Sequence, residues 1–351
     1  MKYMSLARLF WISVGVGLLV QGTIWKHTAL IDAAGWMERI QAFHDHNFAF
    51  FDYFLFANPS MPIIVLGTTA RMLGITLLNS LYGAVIFINA LTIAGAITVT
   101  YLLRPASLWW LATGGILMVH NAYAHSTPHD AVIAPLLTLV VLLTLYLHEG
   151  SRVSSKPVFY LSLAYGASLA TYITLSLLWA PFLVAVLFRK INLKQFAVLL
   201  VTILLAWLIF DPLLWIMPVE HFRAMFSHAY VQAVELRPVA LPLSGFLTVA
   251  PLSLVGILLA LAAILFPNRA ILVVPKYFFV ALMGLTLLVS IVILSSAKPD
   301  FRYFHSLIFI WDVFLTLILL TTVQTSRGRP WLSWAIIFCL TMANLALLVI
   351  G

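Results

Sequence analysis

Stretches of about 20 largely apolar residues, the length that crosses a bilayer as a helix, follow one another along almost all of this 351-residue chain. Hydrophobic residues make up 63% of it and charged residues 9%, where a soluble domain carries roughly 25% charged residues. So few charges cannot cover a water-exposed surface of this size, and the solvent must be mostly lipid. The expected fold class is all-α, a polytopic transmembrane helix bundle. The apolar runs leave no room for a soluble domain above roughly 40 residues. With no internal repeat, low-complexity tract or linker, residues 1–351 read as a single transmembrane domain.

The first run, Leu9 to Trp25, lacks a small-x-small cleavage site, and the chain stays hydrophobic beyond it. It therefore reads as an anchor and not as a cleaved signal. The single cysteine, Cys339, sits in the last run, so no intrachain disulfide is expected. In a soluble protein the net charge of +8 would suggest nucleic acid. Here it reflects lysines and arginines that hold loops on the cytoplasmic side, and no nucleic-acid partner is expected.

Eleven spans are expected, at 9–25, 78–102, 107–123, 131–148, 158–172, 174–188, 195–213, 247–266, 277–296, 305–323 and 331–350. The short pair 158–172 and 174–188 reads either as two spans or as one long tilted helix. Segment 61–75 (MPIIVLGTTARMLGI) is apolar but short and carries Arg71, which suits a juxtamembrane helix in the first outer loop better than a span. Charge decides between these. With 61–75 outside the count and the N-terminus inside, twelve of the 19 basic residues lie inside. They are Lys2, Arg8, Arg104, Arg152, Lys156, Arg189, Lys190, Lys194, Arg269, Lys276, Arg327 and Arg329. This satisfies the positive-inside rule, and counting 61–75 as a span violates it.

The same threading puts Asp32, Glu38, Asp45, Asp52, Asp130, Asp211, Glu220, Glu235 and Asp300 outside, with every histidine except His148. Chemistry is therefore sought on the outer face, in segments 26–77, 120–130 and 211–246 and in the turn 297–305. Asp32 directly follows the first span. On position alone it reads first as a solvated loop acid, and second as a general base in a half-dry cleft. Asp130 opens the fourth span, after His125 and His129. It serves either catalysis or the helix dipole, an effect of about 0.3–1 kcal/mol. Arg302 and Tyr303 lie in KPDFRYFH, close to Lys298. An arginine fork suits phosphate oxygens, and Arg and Tyr also anchor ordinary helix ends at the interface.

The histidines His44 and His46, and His120, His125 and His129, suggest metal ligands at first sight. Neither group has a zinc signature such as HExxH or paired CxxC, so no metal or other cofactor is assigned. Asp312 lies within a span, where an ionised carboxylate costs about 2.5–3.5 kcal/mol on insertion scales. It is expected to face the bundle interior, either paired with a polar neighbour or shaping the site.

The order of these features resembles the GT-C superfamily of membrane glycosyltransferases, which includes dolichyl-phosphate-mannose protein mannosyltransferases and aminoarabinose lipid A transferases. Four stretches carry the likeness. They are Asp32 with the run to Asn47-Phe48; NPSMPIIVLGTTARMLG; STPHD; and DPLLWIMPVEHF together with FRYFHSLIFIW. The chain departs from the family in having Ala33 beside Asp32, in spreading the usual double proline over Pro59 and Pro62, and in showing no soluble C-terminal domain.

The resemblance implies a polyprenyl-phosphate-linked sugar as donor and a lipid, glycan or protein acceptor, met at the outer face of a bacterial or archaeal plasma membrane. Asp32 would take the acceptor proton as the anomeric carbon inverts, and Asp130 would orient Asp32 or the acceptor. Arg302, Lys298 and Tyr303 would bind the donor phosphate. Glu38, His125 and His129, on the same outer segments, are candidates for holding substrate. A transporter or flippase for a lipid-linked sugar is the rival reading, with a non-catalytic subunit of a membrane complex behind it. A secondary transporter would be expected to show repeated halves, and none is seen.

Overall fold

The computed structural model describes residues 5–27, 30, 32–45, 60–120, 122–123, 126–150, 155–188, 190–230, 274–295, 304–325 and 330–350. All the regular elements among them are helices: α1 Leu6–His27, α2 Ala33–Asp45, α3 Met61–Met72, α4 Leu77–Leu103, α5 Trp109–Met118, α6 Pro128–Glu149, α7 Ser155–Thr171, α8 Ile173–Leu177, α9 Ala180–Leu187, α10 Leu193–Phe210, α11 Leu213–Ile216, α12 Pro218–Tyr230, α13 Lys276–Ser295, α14 His305–Thr325 and α15 Pro330–Ile350. By length and composition α1, α4, α6 and α10 suffice to cross a bilayer, and α13, α14 and α15 run 20, 21 and 21 residues. The expected span 247–266 lies outside the described residues.

The helices alternate in direction. Trp109 Nε1–H donates to Thr321 Oγ1 at 3.0 Å near the start of α5, and His120 meets Asp312 at 2.9 Å beyond its end, so α14 runs antiparallel to α5. The Tyr277 hydroxyl donates to the Ala185 carbonyl at 2.6 Å, which sets the start of α13 beside the end of α9. One end of the bundle thus gathers the starts of α2, α6 and α14 and the end of α7. The opposite end carries Arg8, Arg104, Lys156, Lys190 and Lys194. There Arg104 forms a bidentate pair with Glu149 at 2.7 and 3.2 Å. The positive-inside argument and the observed helix directions therefore group the same basic residues.

Close approach and capping fix these packings. A Cβ on Gly166 of α7 would stand 2.5 Å from Ala206 Cβ of α10, the small-residue contact by which membrane helices close up. α10 starts on a capping box made by Asn192 and Gln195. α6, central and buried along most of its length, starts on Thr127 as N-cap with Pro128 in the first turn.

Segment 61–75 holds a short helix, as its length predicted. α3 has 12 residues, a length of about 18 Å, too short to cross. Ser60, at its start, donates a hydrogen bond to the Thr171 carbonyl at the end of α7. At its other end Gly74, at φ +85°, ends the helix before α4, in the left-handed conformation that favours glycine. Near the start of α4 the Tyr82 hydroxyl accepts from Leu30 N–H at 3.2 Å, just past α1. Both ends of α3 therefore lie at the same end of the bundle.

Two of the expected spans, 107–123 and 174–188, are less continuous than expected. The run 107–123 is helical only over Trp109–Met118. Its last carbonyls are taken by side chains: Gln21 Nε2 donates to Met118 O at 2.6 Å, and the Tyr123 hydroxyl to Leu117 O at 2.9 Å. The pair 158–172 and 174–188 is broken at Tyr172 (φ −156°, ψ 87°), and its second member is itself interrupted at Leu178–Trp179 between α8 and α9.

Candidate active site

At the first turn of α6, Asp130 is 2% exposed. Its carboxylate faces the positive end of the helix dipole and is held by the residue that caps that helix. The Thr127 hydroxyl donates to Asp130 Oδ2 at 2.7 Å and accepts from Asp130 N–H at 3.4 Å. His129 Nδ1 lies 3.0 Å from the same hydroxyl, and its Nε2 lies 3.5 Å from Asp130 Oδ1. Since the hydroxyl proton is committed to Asp130, His129 Nδ1–H is the donor to Thr127. Asp130 Oδ1 accepts no hydrogen bond among the described residues.

The imidazole of His129 joins three elements. It packs against Trp36 of α2, with ring centroids 5.5 Å apart. It also packs edge-on against Tyr172, between α7 and α8, at 4.9 Å. Trp36 in turn lies under the Arg39 guanidinium, 4.6 Å from its ring centre, a cation–π contact.

Asp32 heads this arrangement from the other side. It adopts φ 58°, the left-handed region that Asp tolerates better than most residues. Its carbonyl accepts from Trp36 N–H at 3.3 Å and starts α2. One helical turn separates Asp32 from the indole that packs on His129. Asp32 is solvent-exposed where Asp130 is buried. Two carboxylates of contrasting environment therefore stand at one end of the bundle, joined through Trp36 and His129.

Below this level a second polar group closes the site from α14. Ser126 Oγ donates to Ala122 O at 2.7 Å and lies 3.3 Å from His305 Nδ1. Deeper still, His120 Nδ1 accepts from Ala122 N–H at 3.1 Å and Nε2 lies 2.9 Å from Asp312 Oδ2. The expected pairing of Asp312 with a polar neighbour is thus met by His120, which the sequence had suggested only as a metal ligand.

Of the residues singled out from the sequence, Asp130 and His129 come together and the start of α2 brings Asp32 to the same end. Glu38 is exposed on α2. His125, Lys298, Arg302 and Tyr303 lie outside the described residues. Among the described residues no three His, Cys, Asp or Glu side chains are grouped to hold a metal ion. His44 pairs instead with Asp45 at 3.0 Å. Asp211, expected in an open outer loop, is buried and bound to His221 at 2.8 Å. Sequence reasoning missed Trp36, Thr127, Ser126 and His305. Thr127 alone carried a local signal, as the Thr-Pro of a helix start.

No family model matches the chain, and no curated protein matches it in sequence. Among solved structures it is similar to a crystal structure of ArnT from Cupriavidus metallidurans bound to undecaprenyl phosphate. The two share 16% sequence identity at a TM-score of 0.59, over 96% of this chain and 63% of that one. The chain thus spans less than two thirds of the length of ArnT.

Proposed function

We propose that this chain, which has the transmembrane fold of the GT-C glycosyltransferases, moves a sugar from a polyprenyl-phosphate-linked donor to an acceptor at the end of the bundle that carries Asp32 and Asp130. The observation that carries this reading is the pairing of one exposed and one sealed carboxylate at the same end of a fold that, in ArnT, holds undecaprenyl phosphate. A donor of this kind keeps its reactive phosphate at the membrane surface, where only a membrane-embedded enzyme meets it.

In this reading the acceptor hydroxyl attacks the anomeric carbon and its proton passes to the Asp32 carboxylate. The new carbon–oxygen bond forms as the bond to phosphate breaks, and the electron pair leaves with the polyprenyl phosphate. A single displacement inverts the anomeric centre. Asp130, sealed and held by Thr127 beside His129, orients Asp32 through the His129–Trp36 contact. Arg302 with Lys298 and Tyr303 meets the phosphate, where negative charge grows. No step requires a cofactor. Arg8, Arg104, Lys156, Lys190 and Lys194, at the far end of the bundle, support an outward-facing site. The acceptor is a lipid, a glycan or a protein.

The test is purified protein incubated with a panel of polyprenyl-phosphate sugars, read as transfer or donor hydrolysis. Asp32→Asn should abolish turnover in a folded protein, a loss of about a hundredfold or more. Arg302→Ala should raise the donor KM or lower kcat without unfolding the bundle. Wild-type turnover in Asp32→Asn removes Asp32 from the mechanism. No turnover of any donor by the wild-type protein sinks the reading as a whole.

A further inference from the structure

The ten helical residues of α5 cover about 15 Å, roughly half the hydrocarbon thickness of a bilayer. Beyond Met118 the chain gives up α-helical hydrogen bonding, keeping a short 3-10 turn at Ala122–Tyr123, while still inside the bundle. Val119, His120, Ala122, Tyr123, Ser126 and Thr127 are all buried. Non-helical backbone at this depth persists only where the protein itself satisfies its polar groups or where it lines a wet cavity. Gln21, Tyr123 and Ser126 do so for the carbonyls of Met118, Leu117 and Ala122.

His120 uses every part of its ring. Nδ1 accepts from Ala122 N–H, so Nε2 carries the proton and donates to Asp312 Oδ2 at 2.9 Å. One face stacks on Phe309 at 3.8 Å and 19°. The side chains of His120 and Asp312 are 0% and 3% exposed, so neither is placed to touch substrate. Ser126 accepts from His305 Nδ1–H at 3.3 Å and forms a second tie, two turns nearer the start of α14.

A buried ionisable pair is seldom the cheapest way to fill a core, since apolar side chains of similar volume often do as well or better. Its directional bond does what apolar packing does not: it fixes one register of an irregular segment against a helix. We propose that the His120–Asp312 hydrogen bond is a positioning device, which holds segment 119–127 against α14. It thereby sets Thr127 and Asp130 in register with the helix that follows the Arg302–Tyr303 stretch in sequence. This inference rests on the transferase reading for its consequence in turnover, but not for its consequence in structure.

The experiment compares wild type, Asp312→Leu, His120→Phe and Asp312→Asn as full-length protein in lipid nanodiscs. His120→Phe keeps an aromatic ring to stack on Phe309. Asp312→Asn keeps an oxygen that accepts from Nε2–H. Amide exchange across 117–127 should rise about tenfold or more in Asp312→Leu and His120→Phe, and stay near wild type in Asp312→Asn. In the same variants kcat should fall about tenfold or more at a donor KM within about twofold of wild type, again with rescue by Asp312→Asn. Wild-type exchange in both disruptive variants overturns the proposal. So does an Asp312→Asn variant as loose as His120→Phe, which would show that charge and not the bond matters. Should Asp312→Leu fail to fold, the comparison of His120→Phe with Asp312→Asn decides alone. If the wild-type protein turns over no donor, the transferase reading falls and the exchange comparison still decides whether this pair holds the segment.

Discussion

Thr127 illustrates how much one side chain can carry at a helix start. Its hydroxyl caps α6, donates to the Asp130 carboxylate and receives His129 Nδ1–H. Valine has nearly the same shape and none of these bonds. Thr127→Val should therefore leave a buried carboxylate short of a donor, at a cost of about 1–3 kcal/mol, seen as a lower thermal unfolding midpoint in detergent. Thr127→Ser should stay close to wild type, and equal midpoints for Val and Ser would show that the hydroxyl contributes nothing. The cap is readable in STPHD, because N-cap chemistry is local in sequence. That Trp36 and Tyr172 close around His129 is not, since three distant segments meet there. Asp312 was rightly expected to face inward, because lipid is so poor a solvent for a carboxyl group. Its partner His120 could not be picked out from ten histidines without the packing of α14 on the end of α5.

Helix α2 owes its place to α3. A Cβ on Gly67 of α3 would stand 2.5 Å from Ile40 Cδ1 and 3.0 Å from Cγ1, so the two helices touch where the side chain is missing. Trp36 lies one turn before Ile40 and carries the contact to His129. Gly67→Val should push α2 outward, destabilise the protein by about 1–3 kcal/mol, and speed amide exchange over 33–45. Ile40→Ala in the same chain should restore slow exchange, a coupling of about 0.5–3 kcal/mol. Additive effects of the two changes would mean that they do not share this contact. Apolar length alone gave α4, α6 and α10 to within a few residues, since each is long and continuously hydrophobic. It failed at 107–123. There Gln21 and Tyr123 supply the partners that let the helix stop early, and a hydropathy pattern does not register such a substitution.

The bundle as a whole has a basic end and an end that carries Asp32, Asp130 and His129. Sidedness can be read directly. In a background with Cys339 replaced, a cysteine at exposed Ala34 should react with an impermeant maleimide on intact cells. One at exposed Lys194 should react only after permeabilisation. The reverse pattern would turn the protein over and move the site to the cytoplasmic face. The sequence by itself determined the all-helical class, the long apolar helices and the shortness of the helix in 61–75, because the cost of polar groups in lipid acts on each segment separately. Only the tertiary structure decided which helix ends meet. It paired His120 with Asp312 and Asp211 with His221, and joined the exposed Asp32 to the sealed Asp130 through an indole and an imidazole. Apart from Asp211–His221, those contacts bring together segments remote along the chain, and their geometry follows from how the helices pack, which composition and spacing do not encode.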